Sequence, residues 1–158
     1  TEVMLEASKH NGTSLIEIMQ NCAIFNDKIH APFTSRETRD DNQIYLQHGQ
    51  PMLFGKDNEK GIVLRGTRLE VAKLGENGIT EKDILVHDKF QWESGIHVLL
   101  ATMAPPECPG ALGVIISISD FTYDGKMEQI IEEEMANNKI KTVDDLLNSG
   151  KTWEIENE

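Results

Sequence analysis

Cysteine is scarce: two occur in 158 residues, Cys22 and Cys108. There is no C-x-x-C pair, so thiolates of this chain alone complete no zinc or iron–sulfur site. A single bridge between positions so far apart would not be a disulfide framework either. Basic residues are also in short supply. Fifteen Lys and Arg stand against 27 Asp and Glu, a formal net charge of −12. That balance excludes nucleic acid as a partner, because phosphate binding depends on Lys and Arg neutralising the backbone, and it excludes attraction to anionic lipid. Long apolar runs are missing. The longest, Ala111 to Ile118 interrupted by Ser117, falls far short of the ~20 residues that span a bilayer, and no charged-then-apolar signal segment opens the chain. The expectation is an acidic, soluble, cytoplasmic protein with no membrane partner.

Several motifs are absent as well. There is no G-x-G-x-x-G or G-x-x-x-x-G-K-[ST] to cradle phosphate and no G-x-S-x-G nucleophile elbow. The five histidines, His10, His30, His48, His87 and His97, are scattered, with no H-E-x-x-H and no i, i+4 pair.

What is present fits one globular domain of ordinary size. Hydrophobic residues are 39% and charged residues 27%, and a chain of about 150 residues buries roughly 68–70% of its unfolded surface. Val3, Met4 and Ala7 fall at helical spacing over Thr1–His10, and Asn11-Gly12 is a stop signal. The apolar stretch at 14–19 then reads as a buried strand. Helix, glycine turn and strand make half of a βαβ repeat whose first strand is missing, so the chain reads as a fragment. Residues 20–50 lack periodicity, and the polar run Thr34–Asn42 predicts a long surface connection. A hairpin is expected across 52–65, turning at Asp57-Asn58-Glu59, with a third strand at Leu69–Leu74. Thr80 with Asp83 forms a capping-box pattern; Ile84-Leu85-Val86 is too short to classify. Ser94 is positioned to cap a helix over Gly95–Met103 that ends before Pro105-Pro106. A buried strand is expected near 111–119, an amphipathic helix at Asp124–Lys139 and a last short helix after Thr142. Leu53, Phe54, Ile62, Leu64, Val114 and Ile116 are the expected core.

Few residues carry chemistry. Adjacent His87 and Asp88 could orient an imidazole for acid–base work, although neighbours in sequence usually point apart. Cys22 lies three residues past the expected strand, at its carboxyl end, where cofactors gather in open α/β sheets; its alternative is a small buried hydrophobe. Cys108, in the turn-rich Pro105–Gly110, reads as structural. Residues 120–158 hold eleven acids and four bases, either a solvated, self-repelling tail with helical segments or a docking surface for a basic partner.

The block Gly12-Thr13-Ser14-Leu15-Ile16-Glu17-Ile18-Met19-Gln20-Asn21-Cys22-Ala23-Ile24-Phe25-Asn26-Asp27 resembles part of the β subunit of 2-oxoacid:ferredoxin oxidoreductases, the 2-oxoglutarate type above all. The resemblance continues through Leu46–Asp57, Lys60–Ile62, Gly75–Thr80, Ile84–Asp88 and Ala111–Val114, and weakens after about residue 120. It implies the carboxy-terminal portion of such a subunit and a fold running from α/β to α+β. Residues 1–27 would be the final helix and strand of a thiamine-diphosphate-binding domain, 28–120 a mixed α/β region with a hairpin, and 121–158 an acidic helical tail. In that family a Gly-Asp-Gly motif followed by Asn holds thiamine diphosphate through Mg2+, and four cysteines hold a [4Fe–4S] cluster. Cys22 matches the fourth of these; the other three and the diphosphate motif have no counterpart in these residues. The implied parent reaction is oxidative decarboxylation of a 2-oxoacid to its acyl-CoA, with coenzyme A as co-substrate, ferredoxin as acceptor and an α subunit as partner. The fragment alone is expected to be inactive and to bind none of these cofactors. The alternative reading is a non-catalytic subunit-interaction module that binds no cofactor.

Overall fold

The computed structural model describes residues 1–92, 95–153 and 155. They fall into two compact units, residues 1–119 and 120–158. The first contains, in order, helix α1 (Glu2–Lys9), short helices α2 (Ala31–Thr34) and α3 (Arg39–Asn42), and strand β1 (Gln43–Leu46). Strands β2 (Leu53–Phe54), β3 (Lys60–Arg65) and β4 (Arg68–Lys73) follow. A 3₁₀ turn at Glu81–Asp83, helix α4 (Ile96–Ala101) and strand β5 (Gly110–Gly113) complete it. The fold is mixed α and β, with one parallel and one antiparallel sheet.

β2, β3 and β4 form the antiparallel sheet in that order. Leu53 pairs with Gly61, and Ile62 with Val71. The hairpin and third strand expected from the sequence are therefore present. Asn58, at φ +53°, turns the first connection, and Gly66, at φ +61°, opens the two-residue turn into β4, as tight hairpins require. The Ile84–Val86 piece lies against this sheet. Leu85 N–H donates to the Ile62 carbonyl (2.9 Å), Ile62 N–H to that of Met52 (3.0 Å), and Met52 N–H to that of Leu85 (2.8 Å). The Thr80–Asp83 capping box forms as expected, with Thr80 N–H and Oγ1–H both donating to Asp83 Oδ2 at 2.8 Å. Ile44, Leu46, Met52, Phe54, Ile62, Val63, Ala72, Ile84 and Leu100 make the core.

β1 and β5 pair in parallel, Gln43 opposite Gly110 through Leu46 opposite Gly113. The polar stretch expected to be one long loop therefore ends in α3 and a core strand. β5 is shorter than the strand expected to Ser119. Gly113 sits at φ +99°, and a Cβ there would lie 2.9 Å from the Leu46 carbonyl oxygen. Only glycine fits that approach, and its conformation breaks the strand. Ile116 is consequently 50% exposed, and Leu64, near the open end of β3, is 41% exposed. Both were expected in the core, and neither belongs to it.

The strand expected at 14–19 is not formed. Residues 13–21 carry no helix or strand and are exposed throughout, Leu15 to 97%. Their apolar, β-branched composition suits a strand, but a strand needs a ladder partner, and none lies beside them among the described residues. The expected α4 is present with Leu100 buried; its proposed cap, Ser94, lies outside the described residues.

In the second unit α5 (Tyr123–Asn137) and α6 (Val143–Leu147) match the expected helices. Thr122 Oγ1 accepts from Gly125 N–H at 3.2 Å. Thr142 and Asp145 form a reciprocal capping box at 2.9 and 3.1 Å. The apolar stripe of α5, Met127, Ile130, Ile131 and Met135, is exposed.

Candidate functional site

Cys22 sits in a loop closed by its own side chains. The Asn21 amide donates to Asp27 Oδ1 (3.0 Å) and its oxygen accepts from Lys28 N–H (2.7 Å). Lys28 bends through φ +60°, and Asn26 N–H donates to the Cys22 carbonyl at 2.9 Å. Asn21 and Asp27 thus tie the two ends of the loop together. The half-buried Cys22 thiol is held below its ordinary pKa, chiefly by the backbone N–H of Phe25, then by that of Ile24, with a further contribution from Asn26; partial burial opposes them. A thiol in that setting favours the thiolate, the form that ligates metals and acts as a nucleophile. Among the described residues no group of three His, Cys, Asp or Glu side chains is disposed to hold a metal ion. Cys22 can supply one ligand to a site; it is not a site by itself. The clamp is visible in the sequence as the flanks of the Asn21–Asp27 block, where only the cysteine was singled out.

Cys108 is different. Burial, with Glu107 and Glu70 adding to it, pushes its thiol pKa up, and its sulfur contacts the Leu69 carbonyl at 3.7 Å. That is a structural thiol.

His87 and Asp88 do not act together through their side chains. His87 is fully buried, with Nε2 2.9 Å from the Val114 carbonyl. Burial above all holds its pKa below the ordinary value; the neighbouring His97 and His48 add to that, while the Val114 carbonyl and Asp88 oppose it. The Asp88 carboxylate instead meets His48 Nδ1 at 3.4 Å, and the His48 ring stands edge-on to Phe90 at 4.8 Å. His97 Nε2 lies 2.8 Å from the Asp88 carbonyl. His48 and Lys89 help line a cleft of about 240 Å³ at the carboxyl ends of β1 and β5, with Glu2, Glu6, Tyr45 and Val114. There Lys89 holds Glu6 at 2.7 Å and the Tyr45 hydroxyl donates to Glu2 at 3.3 Å. The His48–Asp88 pairing spans forty residues and leaves no local signal in the sequence. No helix among the described residues is long and apolar enough to cross a membrane.

No family model and no solved structure matches the chain. A match is found with 2-oxoglutarate oxidoreductase subunit KorB of Mycobacterium tuberculosis (strain ATCC 25618 / H37Rv), 31% identical over 159 residues. The match takes in 99% of this chain, which spans 42% of that subunit's length. Along nearly all of its residues, then, the chain is similar to a carboxy-terminal part of a 2-oxoglutarate oxidoreductase subunit.

Proposed function

We propose that the chain forms part of the β subunit of a 2-oxoacid:ferredoxin oxidoreductase, with 2-oxoglutarate as substrate, an α subunit as partner and ferredoxin as acceptor. The observation that carries this reading is the 31% identity sustained along 99% of the chain. Residues 1–27 then close a thiamine-diphosphate-binding domain, and Cys22 supplies the fourth thiolate of a [4Fe–4S] cluster. The donor chemistry suits that role. Backbone N–H groups directed at the sulfur favour the thiolate, and hydrogen bonds to cluster sulfurs are among the levers on its potential. The Asn21–Asp27 and Asn21–Lys28 bonds keep the sulfur in place. A cluster bound there accepts electrons one at a time at low potential. On this reading thiamine diphosphate, Mg2+ and coenzyme A serve the assembled enzyme, whose Gly-Asp-Gly motif has no counterpart in these residues.

The test compares Cys22→Ser with Cys108→Ser in the reconstituted αβ enzyme. Cys22→Ser should lower iron content and ferredoxin reduction while leaving decarboxylation of bound substrate partly intact; Cys108→Ser should change neither. Parental iron and turnover in Cys22→Ser would remove the ligand assignment.

A further inference from the structure

From Asn21 to Ile29 every residue is exposed except Cys22. The side chains at the tip of this loop, Ile24 and Phe25, are 87% and 90% exposed, so apolar packing does not hold it. The loop's own backbone shelters the sulfur. The N–H groups of Phe25 and Ile24 bear on it, and that of Asn26 is shared with the Cys22 carbonyl at 2.9 Å. Three successive N–H groups turned to one point form a concavity suited to an anion, an arrangement met at iron–sulfur sites. Their dipoles favour the more negative state of whatever the sulfur holds, and such bonds are one of the levers on a cluster's potential.

Polar contacts outside that concavity keep it closed. Cys22 and Asn26 face each other across an isolated antiparallel bridge, and Asn21 stands just before it. Asn21 Nδ2–H donates to Asp27 Oδ1 at 3.0 Å, and its Oδ1 accepts from Lys28 N–H at 2.7 Å. A carboxylate only accepts and a backbone N–H only donates, so a single orientation of the amide satisfies both partners. Lys28 lies at φ +60°, a conformation that a residue other than glycine keeps only when its neighbours impose it. The N–H that Asn21 holds is that of Lys28. Removing the Asn21 side chain therefore frees the strained residue at the loop's far end, and the three N–H groups are no longer fixed on the sulfur.

We propose that Asn21, tied to Asp27 and Lys28, is a positioning residue that sets the reduction potential of the cluster on Cys22 by holding the backbone N–H groups of residues 24–26 against the sulfur. This rests on the function proposed above; Asn21 acts through the backbone and is not a ligand. The test uses the reconstituted αβ enzyme. Asn21→Ala loses both bonds without a change of charge. Asn21→Asp keeps an acceptor for Lys28 N–H but sets a second carboxylate against Asp27. Combining Asn21→Asp with Asp27→Asn exchanges the two groups, so an amide again faces a carboxylate and the net charge equals the parent's. Before the cluster is reconstituted, amide exchange at Asn26 should quicken about fivefold in each single variant and return to within about twofold of the parent in the double variant. With the cluster in place, iron content should stay parental. The midpoint potential of Asn21→Ala should fall by the equivalent of about fivefold in the one-electron reduction equilibrium. Asn21→Asp should fall further, through its added charge, and the double variant should return toward the parent. A parental potential in Asn21→Ala, unchanged exchange at Asn26, or a double variant as shifted as Asn21→Asp overturns the inference. Parental iron in Cys22→Ser brings down the ligand assignment and this inference with it. Iron lost in Cys22→Ser, with a parental potential in Asn21→Ala, brings down this inference alone.

Discussion

Gly61 lies where two layers of the first unit meet, and its replacement by alanine gives a calculable perturbation. A Cβ built on it would stand 2.5 Å from Ile84 Cδ1, 2.8 Å from Cγ1 and 2.9 Å from Cγ2. Carbon atoms prefer about 3.5–4.0 Å, so roughly 1 Å must be found. The backbone cannot easily give it. Gly61 is paired with Leu53 on one side and Ala72 on the other, and Leu85, next to Ile84, is bonded to Ile62. The displacement falls on Ile84, itself buried. Overpacking of this kind costs about 1–3 kcal/mol, a fall in Tm of about 4 °C for each kcal/mol in a domain of this size. Ile84→Ala alone should cost about 2–5 kcal/mol through the cavity it leaves. In the double variant the new methyl group enters that cavity, so its total should fall short of the sum by about 1–2 kcal/mol. Urea unfolding of the parent, both single variants and the double variant, followed by circular dichroism, measures the cycle. A Gly61→Ala cost below about 0.5 kcal/mol, or strict additivity, would refute the steric account.

Three further outcomes are accessible. Burial holds the His87 pKa below its unfolded value of about 6.5, so its neutral form is the one the fold accepts. Stability should be whole above about pH 6.5 and decline as pH falls below it, by at most about 1.4 kcal/mol per pH unit from this group. Urea titrations at about pH 7.5 and about pH 5.5, repeated on His87→Gln, should give a shallower pH slope in the variant; equal slopes would dismiss His87 as the cause. Ile44→Ala and Leu100→Ala should each cost about 2–5 kcal/mol, whereas Ile116→Ala should cost under about 1 kcal/mol, and the reverse order would contradict the assigned core. Pulse-labelled hydrogen exchange during refolding should protect Val63 and Ala72 before Ala111, because β3 and β4 are near neighbours in the chain and β1 and β5 are not; the opposite order would contradict that dependence on chain separation.

What could be read from the sequence was local. The β2–β4 meander announces itself by apolar runs and a polar turn within about twenty residues, α5 by apolar spacing and α6 by its threonine capping pattern. β1 could not be read this way. Gln43–Leu46 is four residues behind a charged run, and its partner lies far along the chain. The opposite error, at 14–19, has the same origin, since composition states a preference for strand but not whether a neighbour exists to satisfy it. Leu64 and Ile116 looked like core because hydrophobicity does not report where a sheet ends; Gly113, which ends one, was visible only as another glycine. Cys22 was singled out by position and resemblance. The N–H groups aimed at its sulfur, and the His48–Asp88 contact, depend on backbone geometry that the residue types do not encode.

The parallel seam between β1 and β5 also sets a sequence in time. Gln43 must find Gly110 across roughly 67 residues of chain, whereas β3 and β4 meet across a two-residue turn. Closing the longer loop requires more chain entropy to be lost before any contact rewards it. The meander can therefore serve as the template on which the seam is laid. The cleft holding His48 and Lys89 stands at the end of that seam, so its walls come together only after the meander has formed.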